Sequence, residues 1–347
     1  MKVLVSALEH SANVHLKALR QALSDDVEFI GIFDKTLGNP LVDLSALAIM
    51  GFVDALKKLP FFLKLSAQML DLAQEADKIL LIDSSGFNLP LAKKLKKRYP
   101  DKEIIYYILP QAWAWRRGRI AVINRTVDTI ASILPFEKSY YPKESSITYV
   151  GHPLFDEIHV FKKQLTSEGT LAFMPGSRKG EITRLMPLFR TLATRLKEKN
   201  LTLIIPPHFN EEQIETLYGD ISAFTVSKEP YQALYEAEFA FICSGTATLE
   251  AALIGTPFVL AYIAKPLDYF IGRRLIKLEH VGLGNIMFSK MCGRRLHEEF
   301  LQEAVTVENL YDTYRKMDRK LFFDDALALR DYLKHGSSKT VARLIER

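Results

Sequence analysis

Short apolar runs, each closed by small or polar residues and followed by a helix, recur along this chain. In the first half they are Lys2–Ala7, Val27–Phe33, Ile79–Ile82, Glu103–Leu109 and Val127–Leu134, with Ile147–Val150 after them. The pattern then restarts with Thr170–Met174, Leu201–Ile205, Phe224–Val226, Phe239–Cys243 and Pro257–Ala261. Uninterrupted runs this short, bounded by turn formers, are what a strand covered on both faces of a parallel sheet requires. The alternation therefore predicts an α/β chain of two doubly wound, Rossmann-like domains facing each other across a cleft. A chain of 347 residues is too long for one ordinary core, which agrees. The expected division is 1–165, 166–316 and a helical segment 317–347 across the domain junction.

Apolar residues make up 48% and charged residues 25%, the balance of a soluble globular protein, and the net charge of +5 is too small to call for nucleic acid. The basic residues are uneven, however, with Lys93, Lys94, Lys96, Lys97 and Arg98 in one run and Arg116, Arg117 and Arg119 in another. A solvated helix face and attraction to phosphates or an acidic membrane both fit such runs. Two cysteines, Cys243 and Cys292, exclude a disulfide framework and point to a reducing compartment. The N-terminus opens directly into a strand, so no signal peptide is expected. The uncharged apolar run Leu44–Val53 is about half of a membrane span. Around it, Met50, Phe52, Phe61 and Phe62 stand among lysines in a stretch broken by Pro60. Core helices and an interfacial amphipathic segment both fit this composition.

The chemistry is concentrated at strand ends. Asp83 closes the run Ile79–Ile82 and precedes Ser84-Ser85-Gly86, where an open α/β sheet presents its ligands. A carboxylate there can orient a hydroxyl and accept its proton, or simply cap the turn. Pro110-Gln111-Ala112-Trp113-Ala114-Trp115-Arg116 puts both tryptophans and an arginine at another strand end, as core packing or as a wall for a sugar or lipid. In the second half, Gly176-Ser177-Arg178 joins a close backbone approach to a permanently charged, planar phosphate ligand. Ser244-Gly245-Thr246 opens a helix whose free N–H groups favour an anion, and Glu250 lies where it can accept both hydroxyls of a ribose. Together the two loops suggest a nucleoside diphosphate. No GxGxxG, GxxxxGK[ST] or GxSxG motif and no metal-ligand spacing is present, which disfavours dinucleotide, P-loop, serine-nucleophile and metal chemistry.

Taken in order, Met50-Gly51-Phe52, Ile82-Asp83 with Phe87-Asn88, the Trp113-Ala114-Trp115-Arg116 run, Leu134-Pro135-Phe136-Glu137 and Gly151-His152-Pro153-Leu154 resemble the lipid-A-disaccharide synthase family. Pro175-Gly176-Ser177-Arg178 with Glu181, Ser244-Gly245-Thr246-Ala247 with Leu249-Glu250, Asn285-Ile286 and Glu299-Phe300-Leu301-Gln302 continue the likeness. The resemblance covers about Glu9 to Gln302, nearly the whole chain. It implies a GT-B glycosyltransferase that inverts the anomeric centre without a metal or other cofactor. The donor would be UDP-2,3-diacylglucosamine and the acceptor 2,3-diacylglucosamine 1-phosphate (lipid X); the products would be the β-1,6 lipid A disaccharide 1-phosphate and UDP.

By the same resemblance Asp83 would be the base on the acceptor 6-hydroxyl, and Gly176, Ser177, Arg178, Ser244, Gly245, Thr246, Glu250 and Asn285 would hold UDP. Glu9, His10, Ser11, Asn88, Trp115 and Arg116 would face the acceptor, and Met50, Phe52, Phe61 and Phe62 the membrane. The enzyme would be cytoplasmic, peripheral on the inner face of the inner membrane; a homo-oligomer is compatible with this. The family's Gly-Glu-x-Ser-Gly-Asp stands here as Leu8-Glu9-His10-Ser11-Ala12-Asn13. Its Asp-x-Pro-Asp-Phe-Asn is Asp83-Ser84-Ser85-Gly86-Phe87-Asn88, and its Ser-Leu-Pro-Asn is Gly282-Leu283-Gly284-Asn285. The acceptor-side loop is the part that departs most. The alternatives are another UDP-sugar enzyme of this fold, such as a UDP-N-acetylglucosamine 2-epimerase, and a non-catalytic UDP-sugar or lipid-binding protein.

Overall fold

In the computed structural model the described residues are 1–43, 59–165, 169–265 and 279–347. They form two compact units, Met1–Glu157 with Leu333–Arg347, and Ile158–Tyr332.

The first unit holds a seven-stranded parallel sheet in the order β3-β2-β1-β4-β5-β6-β7. Its strands are β1 (Lys2–Ser6), β2 (Glu28–Phe33), β3 (Val42–Asp43), β4 (Lys78–Ile82), β5 (Glu103–Tyr107), β6 (Thr129–Ser132) and β7 (Ile147–Tyr149). The helices are α1 (His10–Ala22), α2 (Leu59–Leu72), α3 (Ser85–Arg98), α4 (Gly118–Thr126) and α5 (Leu154–Glu157). The strand period of two sends alternate residues to two different cores. Leu4, Ile79, Leu81, Ile104 and Tyr106 join one apolar cluster with residues of α2 and α3. Val3, Val5, Leu80, Ile82, Ile105 and Tyr107 join another with α1 and residues near the C-terminus. Burying both sides of β4 completely leaves no polar position in Ile79–Ile82, each side chain contributing about 1.5–3 kcal/mol.

The second unit has a six-stranded parallel sheet ordered β10-β9-β8-β11-β12-β13. It is built from β8 (Thr170–Met174), β9 (Asn200–Ile204), β10 (Thr225–Ser227), β11 (Phe239–Ile242), β12 (Phe258–Tyr262) and β13 (Glu299–Leu301). Helices α6 (Lys179–Arg195), α7 (Glu211–Tyr218), α8 (Pro230–Glu236), α9 (Ala247–Ile254), α10 (Leu283–Cys292), α11 (Val307–Lys316) and α12 (Arg319–Leu333) connect or cover the strands. Phe173, Phe189 and Phe241 pack ring against ring in its core.

The boundary falls at Glu157, not at residue 165 as expected, because the next residues are bonded into the second unit. Lys162 is buried, and its Nζ donates to the Ala237 carbonyl. Arg330 on α12 donates to the carbonyls of Lys162, Leu253 and Ile254, tying that passage to the end of α9. Residues from Leu333 onward belong to the first unit. There, helix α13 (Ser338–Glu346) buries Val341, Ala342 and Ile345 against the first core. Asp156 seats its start, one carboxylate oxygen accepting from the N–H and hydroxyl groups of Ser337 and Ser338 at 2.8–3.1 Å.

Candidate active site

Strand β4 ends at Ile82, and the next two residues, Asp83 (φ 48°) and Ser84 (φ 40°), are both left-handed. Neither is glycine, so each costs about 1–3 kcal/mol and persists only because its neighbours over-determine it. Asn88 supplies most of that determination. Its Nδ2 donates to the carbonyls of Ile82 (3.0 Å) and Asp83 (2.9 Å), and its Oδ1 accepts from Ser6 Oγ at 2.6 Å. The Tyr106 hydroxyl donates to the Asp83 carbonyl at 2.7 Å. Asn88 is fully buried and occupied in this way, so it positions the turn and does not face an acceptor as expected.

The Asp83 carboxyl is held above the usual carboxylate range, first by burial and then by the nearby Glu9 charge; the Ser84 N–H and His15 pull it back. Glu9 is the N-cap of α1, and its Oε1 accepts from Ser84 Oγ at 3.1 Å. His10 and Ser11 are exposed in the first helical turn. Asn13 is buried, donating to the carbonyls of Ala7 and Glu9 and accepting the Asp34 N–H at 2.7 Å. It braces the loop, leaving Glu9 as the carboxylate beside Asp83. A carboxylate acting as a base works only when ionised, so in that role Asp83 would lose kcat/KM as pH drops through its raised pKa. Glu9→Gln removes the second of the two causes that raise it, so the acid limb of the pH–rate profile would move to lower pH; an unmoved limb would exclude Asp83 as the group that titrates.

The two tryptophans divide the roles proposed for them. Trp113 is buried in a cluster with Phe136 (5.0 Å between centroids) and Tyr140 (6.0 Å). Trp115 is half-buried, with the guanidinium groups of Arg116 and Arg119 4.5 and 5.2 Å from its ring. Arg119, known from sequence only as part of a basic run, also donates to Ser85 Oγ at 2.9 Å, which brings it to the Asp83 turn. On α2, Phe61 and Phe62 are half-buried against the first core, Phe62 meeting Phe87 at 6.0 Å; Leu59 (56%) and Leu63 (54%) are its large apolar side chains left exposed. Met50 and Phe52 lie outside the described residues.

In the second unit one cavity of ≈430 Å³ gathers both loops singled out by sequence. Gly176, Ser177 and Arg178 line it from the loop after β8, and Ser244, Gly245, Thr246 and Glu250 from the loop and helix after β11. Gly176 has φ +105°, and a Cβ there would lie 2.5 Å from Glu181 Oε2, so any other residue would be strained and would displace the Glu181 carboxylate. Gly245 has φ +137° with open space before it, a place for a ligand to approach the backbone. Arg178 is 83% exposed yet held in place, its Nη1 donating to Glu181 Oε1 at 2.9 Å. The walls the sequence reading missed are Ile205, Pro206 and Pro207 after β9 and Lys228 and Pro230 after β10. The strand-end rule that found Asp83 would have found these. They give the cavity an apolar slot suited to a base beside a cationic rim suited to a diphosphate.

Asn285 is not part of this lining, contrary to expectation. It is fully buried, its Oδ1 accepting from the N–H groups of Leu296 and His297 and its Nδ2 donating to the His297 carbonyl and Glu299 Oε1. Its role is to tie α10 to β13. A second cavity of ≈440 Å³ lies beside α11 and α12, but its charges neutralise one another: Arg294 pairs with Asp325, Arg295 with Glu298 and Lys316 with Asp312. It makes a poor anion site.

The model of the family described as lipid-A-disaccharide synthetase matches residues 3–320. The chain belongs to the lipid-A-disaccharide synthase family. The lipid-A-disaccharide synthase of Helicobacter pylori is 48% identical, over 98% of this chain and 96% of that one. That of Campylobacter jejuni is 46% identical, over 99% and 98%. Among solved structures, spinosyn rhamnosyltransferase SpnG complexed with thymidine diphosphate has a TM-score of 0.63 at 14% identity, each chain fully covered. The UDP-GlcNAc 2-epimerase from Neisseria meningitidis bound to UDP-GlcNAc has a TM-score of 0.62 at 10% identity, also with full coverage. These likenesses establish the fold, two Rossmann-like units of the GT-B class. The family match sets the epimerase alternative aside. Among the described residues no helix is long and apolar enough to cross a membrane.

Proposed function

We propose that the protein is an inverting glycosyltransferase joining UDP-2,3-diacylglucosamine to 2,3-diacylglucosamine 1-phosphate. In a chain of this family, the observation that carries the reading is the strained Asp83 turn, which fixes a carboxylate at a strand end with Glu9 at its side. Asp83 accepts the proton of the acceptor 6-hydroxyl as that oxygen bonds to the donor's anomeric carbon. The bond from that carbon to the UDP oxygen breaks on the opposite face, so the configuration inverts and the new link is β-1,6. Arg178 and the start of α9 stabilise the charge that develops on the departing diphosphate.

The test is UDP release measured with and without acceptor. Release that requires acceptor supports transfer, whereas donor turnover without it would place the chain with the epimerases. In calorimetric titration, Arg178→Ala should weaken UDP binding about 10- to 100-fold, because a charge-assisted phosphate contact is lost; unchanged affinity would remove Arg178 from the site.

We also place the enzyme on the cytoplasmic face of the inner membrane, with α2 against the bilayer. Leu59 and Leu63, more exposed than Phe61 and Phe62, make that contact. Leu59→Ser with Leu63→Ser should lower recovery with floated anionic liposomes, and equal flotation would return α2 to a purely structural role.

A further inference from the structure

Of the two basic runs, the first is largely used within the fold: Lys96 pairs with Asp128, Arg98 with Asp71, and Lys94 donates to Ser66 Oγ. The second differs. Among the described residues, Arg116, Arg117 and Arg119 form no ion pair with a carboxylate, although three guanidinium groups stand within four positions. Two of them are nevertheless held in place against the half-buried Trp115 ring, and Arg119 is fixed again through Ser85 Oγ at 2.9 Å. Arg116 adopts φ 56°, a left-handed conformation uncommon for a residue with a side chain. Positive charge that is ordered but not neutralised is prepared for an external anion, since the cost of immobilising the side chains is already met. The location narrows the anion's identity. Ser85 is two residues beyond Asp83 on the same turn, so a hydroxyl at Asp83 and an anion at Arg119 can belong to one small molecule.

We infer that Arg116 and Arg119, stacked on Trp115 beside the Asp83 turn, receive a phosphate monoester carried by the acceptor sugar. The inference rests on the acceptor reading above. It makes the two arginines specificity-determining residues that orient the acceptor by its phosphate while Asp83 acts on its hydroxyl. Planar guanidinium forks suit the oxygens of such a group, and the indole face limits their rotation.

The experiment measures kcat/KM for two acceptors, 2,3-diacylglucosamine 1-phosphate and the same sugar without phosphate, using wild type, Arg116→Ala, Arg119→Ala and Arg119→Lys. The quantity read is the ratio between acceptors within each protein, which a partly unfolded preparation does not change. Wild type should favour the phosphorylated acceptor strongly. Arg119→Ala should cut that preference about tenfold or more through a higher KM, with Arg119→Lys in between. An undiminished ratio in both alanine variants would overturn the proposal. Flotation with phosphatidylglycerol vesicles separates the other source of phosphate: lost flotation with an unchanged ratio would assign the arginines to a lipid headgroup and likewise overturn it. If wild type binds UDP but joins neither acceptor to the donor, the acceptor reading itself fails, and the inference with it.

Discussion

Asp83→Asn should lower kcat for disaccharide formation about 10²- to 10⁴-fold, the range for loss of a positioned general base. Asparagine is the informative replacement because the position has φ 48°, which asparagine tolerates and alanine resists. The bonds that hold the turn run to the Asp83 backbone from Asn88 and Tyr106, and they survive the substitution. Affinity for UDP should not change, since the cavity assigned to it is lined by residues from Met174 to Glu250 and does not include Asp83. Retained turnover, or a matching loss of UDP binding, would move the base elsewhere.

Glu137 carries the second large effect, this one on stability. It is 1% exposed, its Oε2 accepts from Ser132 Oγ at 2.5 Å, and its Oε1 has no partner among the described residues. Burial pushes its pKa up from 4.5 to about 7. The folded state therefore holds this proton more tightly than the unfolded chain does. The contribution of Glu137 to stability is fully present below about pH 4.5, is lost as pH rises toward 7, and stays reduced by about 3 kcal/mol above it. Glu137→Gln cannot ionise, so by urea unfolding it should be more stable than wild type at pH 8 by about 2–3 kcal/mol and equal to it near pH 4.5. The same pH dependence in both proteins would show that Glu137 is not the group responsible.

What was legible in the sequence was local. A buried parallel strand needs an uninterrupted apolar run, so β4 and the carboxylate at its end could be read directly, as could the two glycine loops that meet in one cavity. Residues whose roles depend on distant partners were misread. Asn88 and Asn285 belong to motifs and look like ligand contacts, yet each is fully buried with its amide engaged by backbone that only the folded chain brings near. Arg119 is legible in sequence only as part of a basic run, because Ser85, the partner that brings it to the Asp83 turn, is 34 positions away. Residue type and spacing alone do not separate the two tryptophans; packing does, setting the core indole of Trp113 apart from the arginine-covered one of Trp115. The unit boundary was set too late because a lysine in a polar linker, Lys162, proved to be buried.

The most direct test of the central claim is mass spectrometry of the products from UDP-2,3-diacylglucosamine and 2,3-diacylglucosamine 1-phosphate incubated with the wild-type protein. The expected result is a β-1,6-linked disaccharide 1-phosphate together with an equal amount of UDP. Protein that binds UDP but leaves both sugars unjoined would contradict it, and would mean that the departures around Asn13 have turned a transferase fold into a binding protein.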